Sequence, residues 1–215
     1  MKALLYKELR LAMHPAALMF IALSAMLLIP NYPYYVICFY SSLGLFFICL
    51  SGRENHDIFY SLTLPVPKTS AVTARMLTAV LLQIAQLCAA IPFAILHAKL
   101  GIGGNLVGID ANTAFFGSSL IMLGIFNFVF FTSYYKAPEK VGKAFLLGSA
   151  AEAIYMCAAE TAVHAIPFAR DMLDTPDPEN LTCKLILLAV GALLYSALTA
   201  AAHRRAAVSF SKKDI

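Results

Sequence analysis

The chain has 215 residues, 60% of them hydrophobic and 13% charged, with a mean hydropathy of +0.76 and a formal net charge of +4. These values exclude a soluble globular domain and predict an all-α, polytopic membrane protein built as one domain over residues 1–215. Its five cysteines mostly fall inside apolar runs without paired spacing, so they read as small buried hydrophobes, and neither a metal site nor a nucleic-acid partner is expected.

In chain order, residues 1–12 plot as an amphipathic helix lying in the membrane interface. Leu4, Leu5, Leu9 and Ala12 share one arc, and Lys2, Lys7 and Arg10 share another that would face anionic headgroups. Glu8 falls inside the apolar arc, so it needs a partner that the local sequence does not supply. A cleaved signal peptide is the rival reading, but Glu8 and the absence of an A-x-A site before Asn31 oppose it. Predicted spans follow over residues 13–30, 34–51, 72–96, 113–135, 141–168 and 181–203, each nearly charge-free for the ~20 residues needed to cross ~30 Å of hydrocarbon. Residues 204–215 form a basic tail.

Lysines and arginines fix the orientation. Lys2, Lys7, Arg10, Arg53, Lys68, Arg75, Lys136, Lys140, Lys143, Arg204, Arg205, Lys212 and Lys213 fall on one side of this arrangement, against only Lys99, Arg170 and Lys184 on the other. By the positive-inside rule both termini are cytoplasmic. The loop over 103–112 and the acidic loop containing Asp171, Asp174, Asp177 and Glu179 then face outside. That acidic loop reads as a solvated surface, with attraction of cationic cargo as the rival.

The cytoplasmic loop over 52–71, between spans two and three, carries a short helical pattern. Asn55 or Asp57 is placed to cap it, Ile58, Phe59 and Leu62 recur at helical spacing, and Pro65 ends it. Phe59, Tyr60 and Leu62 beside Glu54 and Asp57 suit a groove on a cytosolic partner, and equally an interfacial loop on lipid headgroups.

Within the spans, Gln83, Gln86 and Asn127 are polar, and Glu152 lies ~14 Å past Lys143, near the midplane. An ionised carboxylate there costs on the order of 3 kcal/mol unless it is paired or wet. Glu160 and His164 follow at i, i+4. These six residues predict a polar path or a subunit interface, with structural hydrogen bonding of Glu152 to Gln83, Gln86 or Asn127 as the alternative. No H-E-x-x-H and no G-x-x-x-x-G-K-[ST] phosphate loop occurs, so ATP hydrolysis by that route must lie on another polypeptide. A membrane-embedded enzyme or a non-transporting accessory subunit is the competing class.

The opening MKALLYKELRL and the later DIFYSLTLPVPK, followed by Arg75, resemble the small ABC-2 type permeases of bacterial ABC exporters, among them the phenol-soluble modulin exporter permeases. The resemblance implies a multi-pass protein of the bacterial cell membrane with a coupling helix over 54–64. That helix would dock on a separate ATPase subunit that holds ATP and magnesium, and a second permease copy, the same or different, would complete the assembly. It further implies export of amphipathic peptides or hydrophobic drugs.

Overall fold

A chain in hydrocarbon must satisfy its backbone polar groups internally, and this one does so with helices. The computed structural model describes residues 2–63, 66–102 and 104–212, and every regular element among them is helical. Helix α1 (Lys2–Lys7) continues as a π-helical turn over Glu8–Ala12, and α2 (Pro15–Ile21) continues as a 3-10 helix over Ala22–Leu28. The two segments meet at 87°. Pro15 disfavours helical geometry at the residue before it, and His14 is extended, at ψ 134°, with its Nδ1 accepting the Ala16 N–H at 3.1 Å. At ~1.5 Å per α residue and ~2.0 Å per 3-10 residue, the second segment reaches only about 24 Å, less than the ~30 Å of a bilayer's hydrocarbon core.

Among the described residues five further helices are long and apolar enough to cross a bilayer, and the bent pair, taken as one span, brings the candidates to as many as six. They comprise α3 (Val36–Glu54), α5 (Lys68–Lys99), α6 (Thr113–Tyr134), α7 (Val141–Ala165) and α8 (Leu181–Ser211), with the short α4 (Asp57–Thr63) between α3 and α5. The last helix outruns its predicted end at 203: residues 204–211 of the basic tail stay helical, Phe210 packs edge-on against Tyr135 at 5.3 Å, and the Arg205 guanidinium lies 4.7 Å over Phe128.

α6 is the most buried span, apolar on every side and packed between α7 and α8. Its closest approach, to α8, depends on glycine. A Cβ at Gly191 would lie 2.2 Å from the Gly117 carbonyl oxygen, and one at Gly117 would lie 2.8 Å from the Leu187 backbone. Small residues let backbones approach where apolar driving force between helices is absent. Gly191→Ala is therefore expected to destabilise the purified protein by roughly 1–3 kcal/mol through overpacking. Gly142→Ala, with nothing within 4 Å of the added carbon, should melt no lower than wild type in the same thermal-shift assay.

Candidate functional site

Four charged side chains meet at the end of the bundle where α1, α4, the start of α5 and the ends of α3, α6 and α8 converge. Lys7, Glu8 and Arg75 are each more than nine-tenths buried. Arg75 Nε donates to Glu8 Oε2 at 2.5 Å and Nη2 to Glu8 Oε1 at 3.3 Å, and Nη2 also donates to Asp57 Oδ2. Lys7 Nζ donates to Asp57 Oδ1 at 2.5 Å and to Ser61 Oγ at 2.7 Å, and lies 3.1 Å from Glu8 Oε1. Two cations thus neutralise two carboxylates, with Arg75 forked between both. Gly52 makes room for it: a Cβ there would lie 3.2 Å from Arg75 Nη1.

This cluster supplies the partner that Glu8 requires, and it corrects two expectations. Lys7 faces Asp57 and Ser61, not the headgroups, while Lys2 and Arg10 remain exposed. Lys7 follows Leu4 at i+3 within α1 and so shares its buried face, while Leu9, inside the π turn, is exposed. Asp57, expected to cap α4 or meet a partner, has both oxygens engaged by Lys7 and Arg75. A cap is worth about 1 kcal/mol, less than leaving a buried guanidinium unpaired. The turn into α4 is made by His56 at φ +50°.

The outer face of α4 differs from the inner. Ile58 packs on the core, whereas Phe59 and Tyr60 are each 57% exposed. Glu54 is exposed beside Arg53 at 3.7 Å. Pro65 and the side chain of Leu62 lie outside the described residues. Beside α4 runs a cleft of about 410 Å³ whose lining includes Tyr60, Asn55, Leu11 and His14.

The intramembrane polar residues do not form one site. Gln83 and Asn127 exchange amide hydrogen bonds at 2.8 and 3.0 Å, with Thr199 accepting from Asn127 and Tyr195 donating to Gln83, which ties α5 to α6 and α8. Gln86 donates to Ser24 Oγ at 2.8 Å. Glu152 meets none of these amides; its Oε1 accepts from Ser42 Oγ of α3 at 2.7 Å. Glu160 and His164 lie under the 105–112 loop: His164 Nε2 is 3.2 Å from the Val107 carbonyl, and a Cβ at Gly108 would overlap Glu160. Among the described residues no grouping of three or more His, Cys, Asp or Glu side chains is placed to hold a metal ion.

The acidic loop is organised around Lys184, which sequence reasoning only counted. Fully buried, it donates to the Thr175 and Pro176 carbonyls at 2.5 and 3.2 Å and to Asp177 at 2.9 Å. Asp177 in turn accepts from the N–H and hydroxyl of Thr113. Burial pushes the Asp177 carboxyl up, but hydrogen bonds from Lys184 and Thr113 outweigh it and hold the group below its ordinary value. Asp174, accepting the Asp110 N–H at 2.7 Å, is pushed by burial from 3.8 to about 6. A carboxyl raised on folding stabilises fully below 3.8, and that contribution disappears as pH rises through about 6. Loop packing should therefore loosen between pH 4 and 7. Asp174→Asn should keep the loop as protected at pH 7.5 as wild type is at pH 5, measured by hydrogen exchange over residues 105–112 and 170–180.

Residues 3–204 match the model of a family described as ABC-2 family transporter protein. No curated protein and no solved structure matches the chain.

Proposed function

The chain belongs to the ABC-2 family of transporter proteins, membrane subunits of ABC transporters that work with an ATPase subunit, and on that premise we propose that it is an exporter permease whose α4 docks that ATPase. One observation carries the reading. Phe59 and Tyr60 project from a short helix whose root, Asp57, is joined to α1 and the third span through Lys7 and Arg75. Force applied to α4 by a partner would act directly on Arg75 at the foot of α5, and through Glu8 on the N-terminal helix. The interfacial-loop alternative gives no reason for so many buried charges at the base of α4.

The charge asymmetry of the loops supports a cytoplasmic position for α4 and for both termini. The lipid-facing surfaces of α7 and α8 carry Leu146, Ile154, Ile186 and Leu193 exposed, and a second permease copy would cover part of that apolar area. Substrates of this class would be amphipathic peptides or hydrophobic drugs moving outward, with ATP and magnesium on the partner. The test is co-expression with an ABC ATPase carrying a phosphate loop, followed by affinity purification through the permease. Stoichiometric recovery of the ATPase, with hydrolysis stimulated by the permease, is the expected result. Recovery of the permease without ATPase, and no stimulation, would overturn the reading.

A further inference from the structure

Glu152 is 2% exposed, and the structure gives it a single hydrogen bond, from Ser42 to Oε1. Its second oxygen, Oε2, is buried with no partner among the described residues, as is the hydroxyl oxygen of Ser149 one turn earlier. Both residues line a cleft of about 350 Å³ between α3 and α7, walled by Phe39, Tyr40, Met122 and Met156. Among the described residues no lysine or arginine lines this cleft.

Structural need does not explain a carboxylate here. A neutral amide would accept the Ser42 hydrogen bond equally well, and the protein uses amides in that way at Gln83 and Asn127. An acid with an unmet oxygen at this depth is expensive, and such residues mark ligand or ion paths. Aromatic faces attract cations, most strongly when desolvated, and methionine sulfur adds a soft, adaptable wall. The volume suits a small organic molecule.

We propose that the cleft between α3 and α7 is a binding site for lipophilic organic cations, with Glu152 as counter-charge and Phe39 and Tyr40 as the aromatic walls. The proposal rests on the permease reading, since it names the substrate class of that permease, but its site stands or falls on binding alone. A cation entering between α3 and α7 meets apolar and aromatic surface first and the carboxylate beneath it. Size and positive charge are both selected, and an anion of the same shape is rejected.

The experiment uses the full-length permease in nanodiscs, without ATPase, with tetraphenylphosphonium as probe and empty nanodiscs subtracted. Saturable binding is expected for the wild type and none for tetraphenylborate, which has the same shape and opposite charge. Glu152→Gln keeps the Ser42 bond and should weaken tetraphenylphosphonium binding by at least ~10-fold, because the ion pair is desolvated. Ala153→Phe fills the cleft while leaving Glu152 in place, and should abolish binding; it decides the matter if the Gln variant does not fold. No saturable binding to wild type, equal binding of tetraphenylborate, or wild-type affinity in either folded variant would overturn the proposal. A permease that recruits an ATPase yet binds no cation would overturn this site alone. One that binds the cation but recruits no ATPase would leave the site and remove the exporter reading.

Discussion

Replacing Arg75 with methionine is expected to destabilise the purified permease by about 3–5 kcal/mol, or roughly 10 °C in melting temperature. Arg75 and Glu8 side chains are only 5% and 4% exposed and Asp57 14%, so solvent screens little of their interaction. Without the guanidinium, Glu8 and Asp57 share Lys7 as sole cation, and Glu8 loses both hydrogen bonds from Arg75. One buried negative charge is then uncompensated, which is the costly way to break an ion cluster. Removing a balancing pair is far cheaper: Arg75→Met with Glu8→Gln leaves Lys7 facing Asp57 at net zero and should regain most of the loss. Arg75→Lys keeps the charge but cannot fork between two carboxylates, so it should fall between these limits. Thermal unfolding followed by size-exclusion of the detergent-solubilised protein reads all three. An Arg75→Met variant that melts with wild type would mean that the cluster is not a unit.

That cluster also shows what could be read from sequence. The spans could, because a run of apolar residues has one solution in a bilayer, and the observed helices begin and end within a few residues of their predicted limits except at α8. Glu8 announced itself by sitting on the wrong arc. Its partner was hidden, because Arg75 is 67 positions away and looks like any cytoplasmic arginine at the foot of a span. Lys7 differs in another way: it stands at i+3 from Leu4, on the buried face of α1, and only its charge points to the headgroups. Lys184 was counted as external charge when it is the fully buried hub of the acidic loop, since no local pattern distinguishes a solvated lysine from one gripping two carbonyls. The polar spans illustrate the same limit. Composition identifies Gln83, Gln86, Asn127 and Glu152 as residues that need partners, and only the packing sends the amides to one another or to Ser24 and the acid to Ser42.

The largest functional effect should come from the exposed side of α4. Phe59 and Tyr60 make little contribution to the isolated fold, being 57% exposed each, so replacing both with alanine should change its stability by less than about 0.5 kcal/mol. Aromatic anchors that become buried on association typically contribute most of its energy. Loss of the pair should therefore cost about 2–4 kcal/mol of ATPase docking, a rise in Kd of roughly 30- to 1,000-fold. Asp57 should behave in the opposite way from its neighbours. Because its carboxylate is held by Lys7 and Arg75, Asp57→Lys should lower the melting temperature first and lose the ATPase only as a consequence, with little dependence on salt. A rim charge would show the reverse, an intact fold and docking that weakens with ionic strength. Pull-down of the ATPase and its substrate-stimulated hydrolysis, measured beside thermal unfolding of each variant, separate the two faces of the helix. Full ATPase binding by the Phe59/Tyr60 double variant would reduce α4 to a loop resting on the membrane, and the charges beneath it to structural pairing alone.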